Sequence, residues 1–283
     1  MSLTDGIWFT EVYEGRTAFS VRYEEKILDL NSEFQRIEIF RTEALGRVLI
    51  LAGCFMVTEK DCFIYHEMLV HPAMNLLTGP RKVLVIGGGD GGAVTEAVKY
   101  PELDSVILCE IDPQVVSCCR EHFPEVSRGL DDPRVTVVNE DGAAFVSNYK
   151  DEFDLVLVDS TDPVGPGVAL FETSFYRDVR RSLKTGGIAV FQTESPLFMS
   201  EVFSSTVKKL GEVFGAGSVR PYLATIPTYP GGLWSFTFCS EQHDPVRELP
   251  NELPNALSDK LQYYTSGVHG GAFALPLFVQ QLV

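Results

Sequence analysis

Val83-Leu84-Val85-Ile86-Gly87-Gly88-Gly89-Asp90-Gly91-Gly92 reads as a buried strand that runs into a glycine-rich turn and opens a helix. Four aliphatic residues without polar alternation suit a strand covered on both faces. Gly87, Gly89 and Gly92 stand at GxGxxG spacing, where the missing Cβ atoms let a ligand approach the backbone. That fingerprint alone is weak, but Glu110 ends the next apolar run, 110 − 89 = 21 positions after Gly89, in Cys109-Glu110-Ile111-Asp112. An acid there can accept hydrogen bonds from both ribose hydroxyls. Together the two features predict an adenosine-containing ligand; NAD and S-adenosyl compounds share the geometry, so both stay open at this point.

Outward from this stretch, apolar runs alternate with helical stretches, which predicts an α/β fold with a parallel-rich sheet covered on both faces. The predicted strands are Lys82–Gly87, Ser105–Glu110, Arg134–Val138, Phe153–Val158, Gly187–Gln192, Ser218–Tyr222 and Leu233–Cys239, with helices starting near Gly91, Pro113, Asp141, Thr173 and Phe198. Upstream, Ile7–Thr10, Ala18–Val21, Arg36–Phe40 and Arg47–Leu51 alternate with period two and predict a small antiparallel β unit. Asp61–Leu77 has helical spacing, and Gly79-Pro80 marks a boundary. The expected organisation is an N-terminal β domain over 1–58, a connecting helix over 59–80 and a Rossmann-like catalytic domain over 81–283. His243–Asn255 is expected to be a surface loop leading to a short helical piece.

Composition narrows the class. The 283 residues are 45% hydrophobic, enough for a real core, and carry a formal charge of −16 that repels nucleic acid and anionic membranes while attracting cations. The six cysteines have no CxxC pairing, so reduced, buried thiols are expected. No signal peptide and no membrane span are expected, and the cytoplasm is the predicted location.

Further carboxylates stand at predicted strand ends. Asn139-Glu140-Asp141-Gly142 offers either an acceptor for an adenine amino group or an ordinary helix N-cap, two readings of equal weight. Val158-Asp159-Ser160-Thr161-Asp162-Pro163 places two acids three apart beyond a central strand, where open parallel sheets bind ligands, and the Pro and Gly residues through Gly167 suggest a shaped lid. His66-Glu67-Met68-Leu69-Val70-His71 misses zincin spacing by one position, so no metal site is predicted. No GxSxG elbow and no P-loop lysine is present.

With these residues assembled, the chain resembles the spermidine synthases, the putrescine aminopropyltransferase family, from Trp8 to Phe278. The resemblance rests on Gly87–Gly92 with Asp90, Glu110-Ile111-Asp112, Asp141-Gly142, Asp159-Ser160-Thr161-Asp162-Pro163 with Gly165-Pro166, and Thr58-Glu59-Lys60-Asp61 leading to Tyr65-His66-Glu67-Met68. Ile226-Pro227-Thr228-Tyr229-Pro230, Tyr263-Tyr264 and His269 complete it. It implies aminopropyl transfer from decarboxylated S-adenosylmethionine, a co-substrate rather than a cofactor, to putrescine. Gln35, Glu110, Asp141, Gly142 and Pro166 would hold the nucleoside; His66 and Asp90 would meet the aminopropyl or amine portion. Asp159 would be the catalytic acid–base residue, with Tyr65, Ser160, Thr161, Asp162 and Tyr229 around the diamine and Gln192 and Trp234 as channel walls. It also implies a homodimer or homotetramer joined through the N-terminal β unit.

Elementary electrostatics supports the donor. Asp90 lies inside the glycine turn, where its carboxylate would attract the primary amine of a decarboxylated donor and repel the carboxylate of intact S-adenosylmethionine. The alternatives are a methyltransferase on the same fold, a non-catalytic nucleoside-binding protein, and the same chemistry on cadaverine, agmatine or spermidine. Three departures from the family pattern bear on the acceptor: Ala52 where an Asp is usual in a Leu-Asp-Gly turn, Met56 where many relatives have Gln, and Cys62 in place of Glu.

Overall fold

The glycine turn sits at the centre of a seven-stranded sheet. The computed structural model describes residues 6–13, 15–79, 81–161, 165–248 and 255–283. Strands β7 (Arg81–Gly87), β8 (Leu103–Cys109), β9 (Val135–Val138), β10 (Phe153–Asp159), β11 (Leu183–Gln192), β12 (Val219–Thr225) and β13 (Leu233–Cys239) lie in the order β12-β13-β11-β10-β7-β8-β9. The five strands from β11 to β9 run parallel, and β13 pairs antiparallel with both β11 and β12. The order reverses direction between β7 and β10, so their carboxyl ends flank a topological switch point, the place where open α/β sheets form a crevice.

Two apolar layers cover the sheet. Val83, Val85, Leu108, Leu155 and Leu157 face a core shared with α1 (Cys62–Met74) and α2 (Gly92–Ala97). Leu84, Ile86, Val156 and Val158 face the other, which includes α5 (Gly142–Val146), α6 (Thr173–Ser182) and α7 (Ser200–Phe214). Neighbours in sequence thus go to opposite faces, the pattern of a doubly covered strand. On the β8–β9 side, α3 (Pro113–His122) and the one-turn α4 (Pro124–Ser127) complete this part of the chain.

Helix α1 is buried along almost its whole length although it contains Pro72. Proline has no N–H for the carbonyl four residues earlier, which is that of Met68. The hydroxyl of Tyr222 donates to that carbonyl at 2.7 Å instead. At the same helix, the carboxylate of Glu67 accepts the backbone N–H groups of Gln262, Tyr263 and Tyr264, which ties the C-terminal segment to the element that carries Tyr65 and His66.

The N-terminal region holds two more strands than the alternating pattern predicts. Besides β1 (Ile7–Tyr13), β2 (Thr17–Tyr23), β4 (Arg36–Thr42) and β5 (Gly46–Leu51), there are β3 (Glu25–Asn31) and β6 (Cys54–Thr58). β1 and β2 form a separate hairpin, whereas β3-β4-β5-β6 form a second antiparallel sheet. β3 escapes the pattern because it is an edge strand whose Lys26 and Asp29 are exposed charges, engaged with Glu38 and Arg36. β5 and β6 are joined by Ala52 and Gly53, both at positive φ (50° and 91°). This is the geometry of a two-residue hairpin that favours Asn-Gly or Asp-Gly. Element limits differ by a few residues elsewhere: Glu110 lies just past β8, and α7 starts at Ser200 rather than near Phe198. Part of the loop expected over 243–255 lies outside the described residues.

Candidate active site

Asp159 is the last residue of β10 and pairs with Gly87, the last of β7, so the sheet itself brings the carboxylate to the glycine turn. The approach demands glycine. Gly87 has φ +77°, and a Cβ there would lie 2.1 Å from the Asp159 carbonyl oxygen. A Cβ on Gly92 would meet the His66 ring at 2.1 Å. The turn is therefore shaped as much by what packs on it as by what it can bind.

A cavity of about 500 Å³ opens here, between these strand ends and the N-terminal strands. Its walls include Gln35, Tyr65, His66, Asp90, Glu110, Asp141, Gly142, Asp159, Ser160, Thr161, Gln192, Tyr229 and Trp234. The residues selected from sequence converge on one site, with exceptions. Asp162 lies outside the described residues, as does the side chain of Pro166. Ala52 and Met56 are on the wall, and Cys62 is not among the lining residues. The sequence reading missed Glu11 and Tyr13 from β1 and Phe55 from β6. Glu11 is buried and accepts the Phe55 N–H at 2.9 Å, a contact across 44 residues that no local pattern announces.

The charges are one-sided. Glu11, Asp90, Glu110, Asp141 and Asp159 line the cavity with His66 as the only basic side chain among the described residues; no Lys or Arg takes part. Tyr65 donates its hydroxyl hydrogen to Asp159 Oδ1 at 2.6 Å, while Asp159 Oδ2 is buried with no hydrogen-bond partner among the described residues. Burial, reinforced by the Asp90 charge, pushes the Asp159 carboxyl up to about 7 against the opposing pull of His66 and Tyr65. His66 Nε2 lies 3.1 Å from Asp90 Oδ1, which also accepts the Gly92 N–H at 2.6 Å. Burial alone would neutralise both partners, but each stabilises the other's charge: Asp90 stays below the usual carboxylate range and His66 rises well above its own. His66, Asp90 and Asp159 offer donor atoms within 4.8 Å of one another. Within that cluster His66 and Asp90 are already paired with each other.

Another wall of the cavity is built around Glu110. Its oxygens accept the Gly89 N–H (3.1 Å) and the Asp112 N–H (2.9 Å), and burial raises it to about 7. Asp112 in turn accepts from Ser32 Oγ (2.6 Å) and Gln35 Nε2 (3.3 Å), which joins the N-terminal sheet to this end of the site. Of the two readings of its motif, Asp141 shows the helix cap, its Oδ1 accepting from the N–H groups of Ala143 and Ala144 at the start of α5, and the residue also lines the cavity. On the remaining wall Tyr229 donates to the Met56 carbonyl at 2.8 Å and its ring stands 4.7 Å from that of Trp234.

None of the six cysteines is in a disulfide; Cys54 and Cys62 are half-buried and the other four buried. Among the described residues, no helix is long and apolar enough to cross a membrane.

Comparison with known proteins agrees with this architecture over nearly the whole chain. Residues 62–248 match the spermine/spermidine synthase domain, and residues 7–59 match the spermidine synthase tetramerisation domain. The polyamine aminopropyltransferase of Moorella thermoacetica is 44% identical over 278 residues, 98% of this chain and 96% of that protein. That of a Thermoanaerobacter species is 42% identical over 276 residues, covering 98% of both. Among solved structures, a spermidine synthase in complex with the transition state analogue AdoDATO superposes with a TM-score of 0.92 at 38% identity, over 98% of this chain and 95% of the other. The spermidine synthase from Thermotoga maritima gives a TM-score of 0.90, also at 38% identity, over 98% and 94%.

Proposed function

Because the chain belongs to the spermine/spermidine synthase family, we propose that it moves the aminopropyl group of decarboxylated S-adenosylmethionine onto putrescine, giving spermidine and methylthioadenosine. The observation that carries this reading is a cavity lined by five carboxylates and by no Lys or Arg among the described residues. A sulfonium bearing a primary amine and a diamine are both cations that such a wall attracts. Intact S-adenosylmethionine would bring a carboxylate with no Lys or Arg among the described residues to receive it, and the one basic group, His66, is already paired with Asp90 at 3.1 Å.

In the proposed reaction an uncharged amine nitrogen attacks the methylene carbon beside the sulfonium. The new C–N bond forms as the C–S bond breaks, its electron pair stays on sulfur, and the positive charge passes from sulfur to the substituted nitrogen. Alkylamines have a reference pKa of about 10.4, so at neutral pH the acceptor arrives as an ammonium ion and a base must take one proton before the nitrogen can attack. Asp159 is suited to accept it, because its Oδ2 is buried and unpartnered among the described residues and a carboxyl raised to about 7 is a far better base than an ordinary aspartate. Tyr65 fixes the orientation of Oδ1, while Tyr229, Ser160 and Thr161 border the same space. Glu110, Asp141, Gly142 and Gln35 are assigned to the nucleoside, and His66 with Asp90 to the aminopropyl amine. No cofactor enters the scheme, since the donor is consumed. The enzyme would act in the cytoplasm as a homodimer or homotetramer, in keeping with the tetramerisation domain match over 7–59.

The direct test incubates the protein with decarboxylated or intact donor and a panel of amines, reading products by mass. Aminopropylated putrescine is expected; methyl transfer from intact donor would overturn the proposal. Donor binding should also release protons near neutral pH. Asp159 and Glu110 both stand near 7 in the free protein. The donor's positive charge and ribose hydroxyls favour their ionised forms, so their pKa values fall on binding and affinity rises with pH up to about 7 before levelling. Calorimetry in buffers of different ionisation enthalpy reads this; affinity that is flat or falling from pH 6 to pH 8 contradicts it.

The apolar residues Ala52 and Met56 favour a second reading, in which a longer amine replaces putrescine. Ala52→Asp separates the two. It should stabilise the β5–β6 turn by about 0.5–1 kcal/mol, because Asp tolerates positive φ better than Ala. A carboxylate at this exposed rim should lower the KM for putrescine about two- to fivefold, as weak exposed ion pairs do. An unchanged preference across the amine panel would remove Ala52 from acceptor choice.

A further inference from the structure

We propose that Glu194, a residue behind the cavity wall, is a positioning residue that acts through Gln192 on the segment carrying Asp159. Glu194 lies just beyond β11, fully buried, with φ +66°. A side chain with a Cβ is strained in that region, and buried strain of this kind persists where the surroundings over-determine it. Here the backbone is held from one side by Ser235, whose N–H and hydroxyl both donate to the Glu194 carbonyl at 3.0 and 2.6 Å.

The strained conformation produces a reciprocal pair of bonds. The Glu194 N–H donates to Gln192 Oε1 at 3.0 Å, and Gln192 Nε2 donates to Glu194 Oε1 at 3.0 Å. Both ends of the Gln192 amide are thereby fixed, and only one of its two flipped orientations satisfies both contacts. In that orientation Nε2 also faces the Ser160 carbonyl at 3.1 Å and the Ser160 hydroxyl oxygen at 3.3 Å. Ser160 immediately follows Asp159. Were the amide to flip, Oε1 would face the Ser160 carbonyl, acceptor against acceptor, and the strand end would lose its anchor.

The inference rests on the aminopropyl-transfer reading for its kinetic arm and is independent of it for its structural arm. Glu194→Met removes the acceptor at similar length, whereas Glu194→Gln keeps an oxygen that can accept from Gln192. Loss of the anchor should lower kcat about 10- to 100-fold in Glu194→Met, the scale of a small misplacement of reacting groups, with donor KM within about twofold. Glu194→Gln should stay within about threefold of the parent. In a Gln192→Ala background, Glu194→Met should add less than about twofold, because the route through Gln192 is already cut.

Hydrogen exchange of the peptide containing Ser160, measured without substrate, should speed up in Glu194→Met and Gln192→Ala and not in Glu194→Gln. Unchanged exchange and kcat in Glu194→Met overturn the proposal. So does a full additional loss in the Gln192→Ala background, or a Glu194→Gln variant as impaired as Glu194→Met, which would mean that the charge itself acts. If the parent protein makes no aminopropylated amine, the function reading fails while the exchange result still decides this one.

Discussion

Asp159→Asn is expected to lower kcat for aminopropyl transfer by about 10²- to 10⁴-fold, the usual contribution of a positioned general base. Donor affinity should change far less. Asn keeps the size of the side chain and an oxygen for the Tyr65 hydroxyl, which stands 2.6 Å from Oδ1 in the parent, so the wall of the cavity survives. What disappears is the proton acceptor at Oδ2, the one oxygen of the pair that has no partner among the described residues. The pH profile supplies a second readout. With a folded-state value of about 7, the parent's kcat/KM should rise as Asp159 loses its proton and level off above that pH, a limb the Asn variant should lack. Rapid single-turnover measurements at saturating donor would show the effect on the chemical step. An Asn variant that retains the parent's rate and pH limb would remove Asp159 from proton transfer and leave it an alignment role at most.

Gly87→Ala should destabilise the fold by about 2–5 kcal/mol. Two costs add: about 1–2 kcal/mol for an L-residue at φ +77°, and about 1–3 kcal/mol for forcing a methyl group into a filled space. The neighbour that would have to yield is the Asp159 carbonyl, 2.1 Å away, and it belongs to a paired central strand rather than to a flexible side chain. Urea unfolding measures this as a lower midpoint at unchanged slope. The residual activity of the folded fraction should fall too, because any relief moves Asp159 itself. Stability equal to the parent's would mean that β7 and β10 do not approach as closely at their ends as described.

Much of the site was legible because its parts repeat local rules. An aliphatic run ending in glycines must be a covered strand entering a tight turn, and acids directly after such runs fall on one edge of the sheet once the strands are parallel. Glu110, Asp141 and Asp159 came from that reasoning and Asp90 from its place inside the glycine turn, and the cavity gathers all four. Asp141 shows its limit: the motif offered an adenine-amino acceptor and a helix cap equally, and the structure shows the cap on a residue that also lines the cavity. Residue order alone was thus enough for the parallel-rich α/β class, the glycine turn and the sign of the charge around it, since these follow from side-chain period and from residues adjacent in the chain. Folding in three dimensions had to settle that β3 pairs as an edge strand, that Glu11 reaches the cavity from the first hairpin, that Tyr65 grips Asp159 across 94 residues, and that Glu194 locks Gln192. Those contacts join segments whose mutual geometry is set by how whole elements pack, a quantity that no local pattern of residues encodes.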